Sequence, residues 1–189
     1  VLSLSPELFF RKEGDTLTAK PMKGTMPRGK SRRADILLQA RLRTDEKNRA
    51  ENLMIVDLLR NDLGRLARPG SVKVERLFEV EAYETLLQMT STLSAKIDPM
   101  TPLRTLFASL FPCGSVTGAP KIRAMQIIRE LEPADRGLYT GAIGYVQPDG
   151  DCRFNVAIRT VVLNDDGSGE MGIGSGITCD SDERQEYAE

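Results

Sequence analysis

The chain has 189 residues, 40% hydrophobic and 28% charged, the balance of a globular protein that is one domain or part of one. Lys plus Arg number 26 and Asp plus Glu 27, a net charge of −1, which argues against nucleic-acid or membrane-surface partners because both need a basic excess. Histidine is absent, so Ser-His-Asp triads, Cys-His pairs and His-based zinc or haem sites are excluded within the chain.

The first element is a strand over residues 1–10, turning at Glu13-Gly14-Asp15 into a second over 15–20. Ser31 precedes a helix over about 32–43, and Thr44 is placed as N-cap of a longer helix over about 45–67, with Asp45 and Glu46 in its first turn. Pro69-Gly70 stops that helix. Runs rich in Val, Leu and Thr predict strands over about 71–80 and 85–95. Thr101-Pro102 reads as an N-cap with Pro at N1, opening a helix to about 111, and Pro120 opens another to about 131. Strands follow over about 140–147, 152–163 and 170–178, and the chain stops in the first turns of a helix. The order ββ-αα-ββ-αα-βββ-α, with hairpin-like connections, predicts an α+β fold of antiparallel sheet with helices packed outside.

No apolar run reaches the ~18–20 residues of a spanning helix, and no secretory signal is visible. Cys113, Cys152 and Cys179 are odd in number and far apart, without a Cys-x-x-Cys pair. A reducing, cytoplasmic setting fits them. Chemistry therefore falls to carboxylates, lysines, backbone amides or a hard cation.

In the helix over 45–67, Glu51, Ile55, Leu58 and Asp62 follow i, i+4, i+7, i+11 and share a stripe. Its apolar members turn it inward, where a carboxylate needs a cation or several donors. Either Glu51 forms a buried ion pair with Arg60 or Arg65, or it has a functional role. Asp182, Glu186 and Glu189 line one helix face. They form either a solvated acidic face or, with Glu51, an oxygen-rich site for Mg²⁺. Gly114-Ser115-Val116-Thr117-Gly118-Ala119-Pro120-Lys121 enters a helix N-terminus. It is a glycine-rich turn or an anion cradle, and its spacing is not that of a P-loop. Gly172-Ile173-Gly174-Ser175-Gly176 lacks the dinucleotide-binding spacing; glycines there mark close approach of backbone or ligand. Lys23, between Pro21 and Gly24, is a surface lysine or an amine reaching into a pocket, where burial or a neighbouring cation would lower its pKa.

Taken together, these segments resemble the chorismate-utilising enzymes: anthranilate, isochorismate, salicylate and aminodeoxychorismate synthases. The resemblance rests on Ser5-Pro6-Glu7, Pro21-Met22-Lys23-Gly24-Thr25, Glu51 to Asp62, Gly114 to Lys121, Gly141-Ala142-Ile143-Gly144-Tyr145, Ala157-Ile158-Arg159-Thr160 and the terminal acidic cluster. It implies a fold of two stacked, mainly antiparallel β-sheets flanked by helices, with residues 1–189 forming the C-terminal part of a catalytic domain. Within the family, Pro-x-Lys-Gly-Thr resembles the branch that aminates chorismate toward para-aminobenzoate and folate.

That resemblance implies Lys23 as nucleophile and Glu7 as general acid. Glu51 and Glu189 match the Mg²⁺ ligands, with Glu186 in support, and Arg159 and Tyr139 match groups that hold a substrate carboxylate. Thr25, Gly118, Gly174 and Gly176 fall at substrate-lining positions. The implied partners are chorismate, ammonia and a glutamine amidotransferase. Gln88 stands where the anthranilate branch carries histidine, and Cys113 stands where glycine is common. The alternatives are anthranilate synthase or another sibling and, in a different class, a silent scaffold that only docks an amidotransferase.

Overall fold

In the computed structural model, which describes residues 1–178 and 181–188, the chain begins with a short strand, β1 (Leu2–Ser3), and a longer one, β2 (Leu8–Glu13). The single strand expected over 1–10 is thus broken by Leu4–Glu7, because the two halves serve different sheets. β3 (Thr16–Lys20) follows the Gly14 turn, where φ is +56°. β4 (Met22–Pro27) is a strand beyond the two expected before the first helix, where the chain leaves β3 through Pro21.

Helix α1 (Arg32–Thr44) is capped as expected by the Ser31 hydroxyl, which accepts from the Ala34 amide. Helix α2 (Glu46–Gly64) is capped by Asp45, not Thr44: the Asp45 carboxylate accepts from the Asn48 amide at 2.9 Å. Thr44 is still inside α1, its hydroxyl donating to the carbonyls of Ala40 and Arg41.

β5 (Lys73–Ala82) and β6 (Leu86–Lys96) form the long hairpin. Helix α3 (Leu103–Leu110) starts after Pro102, which takes the N-cap position itself, while Thr101 donates to the Asp98 carbonyl. A short turn of helix, α4 (Gly114–Thr117), precedes α5 (Lys121–Leu131). β7 (Ala142–Val146), β8 (Cys152–Val156), β9 (Thr160–Leu163), β10 (Gly169–Met171) and α6 (Glu183–Ala188) complete the order.

Among the described residues all strand pairings are antiparallel and make two sheets, so the α+β expectation holds. The larger has seven strands in the path β4-β6-β3-β2-β8-β7, with β5 on the other edge of β6; the smaller runs β1-β9-β10. The strand expected over 152–163 is therefore two strands in different sheets. The chain switches sheets at Ala157–Arg159, where Arg159 takes φ +48°.

The core lies between the large sheet and helices α2 and α3. Phe9 and Phe10 are consecutive yet both enter this one core, where regular alternation would send them to opposite faces. A bulge in β2 between Leu8 and Arg11 makes it possible. Their rings pack edge-on against each other at 5.0 Å, and Phe10 meets Phe107 at 5.4 Å, adding about 0.5–1.5 kcal/mol per pair beyond burial. From α2, Ile55, Val56, Leu59 and Leu63 close the same core. A second, smaller cluster of Leu42, Leu87 and Met89 lies under α1. No helix among the described residues is long and apolar enough to cross a membrane.

Candidate active site

The two places where the chain passes between sheets lie side by side. Leu4 donates its amide to the Arg159 carbonyl at 3.0 Å, the Asn155 side chain donates to the Ser5 carbonyl at 2.9 Å, and Val156 donates to the Glu7 carbonyl at 3.1 Å. Strands that switch sheets need bends and bulges, and the candidate residues Glu7 and Arg159 sit on those bends. Thr140 N–H is joined in turn to the Ala157 carbonyl, and Ala157 N–H to the Gly141 carbonyl, each at 2.9 Å. This lays the Tyr139 stretch against the approach to Arg159. Thr140 and Arg159 have φ of +62° and +48°. Such backbone costs about 1–3 kcal/mol for a non-glycine residue and clusters at functional sites.

Glu7 is 4% exposed and its Oε1 has no hydrogen-bond partner. Burial pushes its pKa up, opposed by the Ser115 hydroxyl, the charge of Lys23 and the Met22 backbone. A carboxyl so placed is held toward its neutral, proton-donating form. Ser115 belongs to α4, whose close approach depends on Gly114: a Cβ there would sit 2.5 Å from Leu58 Cδ2 of α2. Ser115 also contacts the Cys113 thiol at 3.2 Å, and burial pushes that thiol up to about 12. Ser115 lies within the stretch from Gly114 to Lys121, yet nothing in its spacing marks it as the partner of Glu7.

Lys23 is half-buried on β4. Met22 pairs with Thr90 and Thr25 with Gln88, so Lys23 and Gly24 together face the single residue Met89. That is a β-bulge, which re-aims the bulged side chain. Gly24 carries φ +89°, and a Cβ on it would lie 2.8 Å from Asn48 Oδ1, so only glycine suits this position. The stretch Gly172–Gly176 passes both Lys23 and Tyr139: a Cβ on Gly176 would stand 3.1 Å from Lys23 Nζ, and one on Gly174 would stand 2.8 Å from the Tyr139 hydroxyl. The lack of side chains there opens space beside an amine and a phenol. Tyr139 is half-buried, which raises its pKa, and Arg136 lies over its ring at 5.8 Å. Arg159 is exposed, and its guanidinium has no ion pair among the described residues. Thr25 is exposed and donates its hydroxyl to Gln88 Oε1 at 2.9 Å.

The inward stripe expected on α2 is displaced. Ile55 and Asp62 are buried, but Glu51 and Leu58 are only half-buried, and the packed face is completed by Asn52, Val56, Leu59 and Leu63. The i, i+4, i+7, i+11 row runs along one border of that face. The buried ion pair considered for Glu51 does not form: Arg60 bridges to Asp57 on the surface, and Glu51 has no ion pair among the described residues. A half-buried carboxylate without a cation suits a metal ligand of the hard, oxygen-bearing type. Glu189 lies outside the described residues, as does the side chain of Glu186. Among the described residues no three His, Cys, Asp or Glu gather into a metal site.

The proposed anion cradle at Gly114–Lys121 is partly spoken for. Lys121 Nζ turns back to Asp62 and to the Leu110 carbonyl, at 2.5 and 3.1 Å. Gly118, with φ +92°, gives its amide to the Gly114 carbonyl.

A sequence profile of the family described as chorismate binding enzyme matches residues 1–189. An anthranilate synthase component 1 of Streptomyces coelicolor is 46% identical over 189 residues, 100% of this chain and 37% of that protein. An aminodeoxychorismate synthase component 1 of Salmonella typhimurium is also 46% identical over 189 residues, 100% of this chain and 41% of that protein. The crystal structure of anthranilate synthase component I from Streptococcus pneumoniae matches with a TM-score of 0.84 at 35% identity, over 99% of this chain and 41% of that one. A putative isochorismate synthase from Bacillus anthracis shares the fold at a TM-score of 0.86 and 24% identity, over 98% of this chain and 49% of that one. The chain thus spans 37–41% of the length of these two curated relatives. The chain belongs to the chorismate binding enzyme family.

Proposed function

We propose that the complete protein aminates chorismate to 4-amino-4-deoxychorismate, using ammonia released from glutamine by a partner amidotransferase, with Mg²⁺ as cofactor. The observation that carries this reading is the placement of Glu7 near Lys23. A buried carboxyl with an unpaired oxygen stands within the field of a half-buried amine.

In this reaction Lys23, as the free amine, attacks C2 of chorismate. The ring diene shifts by one position and the C4–O bond breaks. Glu7 gives its proton to the departing oxygen, which leaves as water. Ammonia then attacks C4, the diene shifts back, and the C2–N bond to Lys23 breaks. Lys23 leaves as the free amine, and the proton shed by the incoming nitrogen returns to Glu7, so both groups are restored. The free fork of Arg159 suits a carboxylate bidentately, with Tyr139 donating beside it. Thr25, Gly118, Gly174 and Gly176 line the substrate in this reading. Mg²⁺ held by Glu51, Glu189 and Glu186 would neutralise and orient the ring carboxylate.

The test is incubation of the complete protein with chorismate, Mg²⁺ and an ammonium salt. Aminodeoxychorismate without pyruvate is the expected product. Anthranilate with an equivalent of pyruvate would replace this reading with a second one, anthranilate synthesis, which the Streptomyces coelicolor relative favours. Lys23 and Gln88 weigh against that second reading. No turnover, with amidotransferase binding retained, would indicate a scaffold.

A further inference from the structure

Gln88 lies on β6, 6% exposed, directly across from Thr25. Its side-chain amide is used at both ends. Nε2 donates to the Gly24 carbonyl at 2.8 Å, and Oε1 accepts from the Thr25 hydroxyl at 2.9 Å. Both partners belong to the two residues that immediately follow Lys23. The bulge frees Lys23 and Gly24 from the regular strand ladder, and bulged residues lose ladder hydrogen bonds that would otherwise hold them. The left-handed Gly24 supplies the bend but no rigidity of its own. From the other side Asn48 abuts Gly24, itself held by Asp45, to which its Nδ2 donates at 2.9 Å. Gln88 thus replaces, from a side chain, the restraint the strand gives up at this point.

We propose that Gln88 is a positioning residue that clamps the Lys23 bulge and so fixes the amine relative to Glu7. This rests on the reading of Lys23 as nucleophile, but the clamp itself is a statement about the bulge and can be tested apart from it. Reacting groups in a site lose about a hundredfold in rate for a misplacement near 1 Å, whereas binding of the rest of the substrate is carried elsewhere. Loosening the clamp therefore acts on kcat more than on KM.

The experiment uses the complete protein in three forms: Gln88→Leu, which keeps the volume and removes both hydrogen bonds; Thr25→Val, which removes one; and the double variant. Hydrogen exchange, followed by mass spectrometry of the peptide spanning β4, should accelerate in Gln88→Leu without a matching rise in the α2 or α3 peptides. With chorismate and ammonium, kcat should fall roughly tenfold to a hundredfold while KM stays within about threefold. Thr25→Val should accelerate exchange of the β4 peptide less, and that effect should vanish in the Gln88→Leu background, because on the bulge the two act through one contact.

Unchanged exchange at β4, or acceleration spread over the whole sheet, would overturn the clamp whatever the turnover shows. Additive acceleration of β4 exchange in the double variant, or a rise in KM with kcat kept in Gln88→Leu, would overturn it as well. Should the wild-type protein not act on chorismate, the proposed function fails, and the exchange measurement still decides the clamp.

Discussion

Asp62, near the end of α2, accepts a 2.5 Å hydrogen bond from Lys121 at the start of α5. The side chains are 3% and 14% exposed, so this pair is taken out of water and ties α5 to the helix that carries Glu51. Removing one partner strands the other, at a cost of about 3–5 kcal/mol, while replacing both by apolar groups can be nearly neutral. Lys121→Met should lower the unfolding free energy by about 3 kcal/mol, and the Asp62→Leu/Lys121→Met double variant should recover most of it. Urea unfolding midpoints read this directly. A double variant as unstable as the single one would mean that the bridge is not the source of the loss.

Glu7 is predicted to make stability depend on pH. Its folded pKa lies above the ordinary 4.5, chiefly because of burial. The native state therefore favours the neutral acid, and the contribution of Glu7 is fully present below 4.5 and is lost as pH rises through the higher folded value. Glu7→Gln is neutral throughout, so its stability relative to the wild type should improve steadily as pH climbs from about 4.5 toward neutrality. Denaturant titrations at several pH values measure the difference. The same variant, unable to give a proton, should lose about 10²–10⁴ in kcat. A stability difference that stays flat with pH would place the carboxyl in a water-like setting.

Much of the fold was legible because its signals are local. Ser31 reads as a cap because a hydroxyl in front of a helix has one obvious use, and the prolines at 102 and 120 mark helix starts because a fixed φ and a missing N–H are tolerated only there. Asp45 displaced Thr44 as a cap by one residue, since a carboxylate and a hydroxyl both serve and only the tertiary fit chooses between them. The breaks in the strands expected over 1–10 and 152–163 were not legible. Each half has strand-like composition, and what divides them is a switch between sheets, a long-range property. Lys23 stood out by its neighbours Pro21 and Gly24, but the bulge that aims it and the Gln88 amide that holds it are cross-strand facts. A linear pattern of residues does not contain them.

Cys113 should be chemically quiet. Burial and the nearby Glu7 charge push its thiol up to about 12, leaving roughly one part in ten thousand as thiolate at pH 8, and the thiolate is the reactive form. Iodoacetamide at pH 8 should leave Cys113 unmodified in the folded protein and alkylate it within minutes in guanidinium, as peptide mass spectrometry would show. Rapid labelling of the native protein would mean that the α4 turn opens readily and that the Ser115 contact to Glu7 opens with it.

The glycines at 172 and 174 set the position of Tyr139, and this gives a prediction that separates binding from chemistry. A Cβ on Gly172 would fall 2.2 Å from Tyr139 Cγ, inside the ring's own backbone-proximal end, while one on Gly174 would fall 2.8 Å from the hydroxyl. The first clash involves the stiff base of the side chain and forces the ring to move; the second meets its far end. If Tyr139 helps hold a substrate carboxylate, Gly172→Ala should raise KM for chorismate by about tenfold, the value of one lost hydrogen bond to a charged group, with a smaller change in kcat. Tyr139→Phe should show the same KM increase, because it removes the donor without moving the ring. Adding Gly172→Ala to Tyr139→Phe should then raise KM little further. Initial-rate kinetics on the four proteins decide the matter: a Tyr139→Phe variant with unchanged KM would remove Tyr139 from the carboxylate site and leave Gly172 as a packing constraint only.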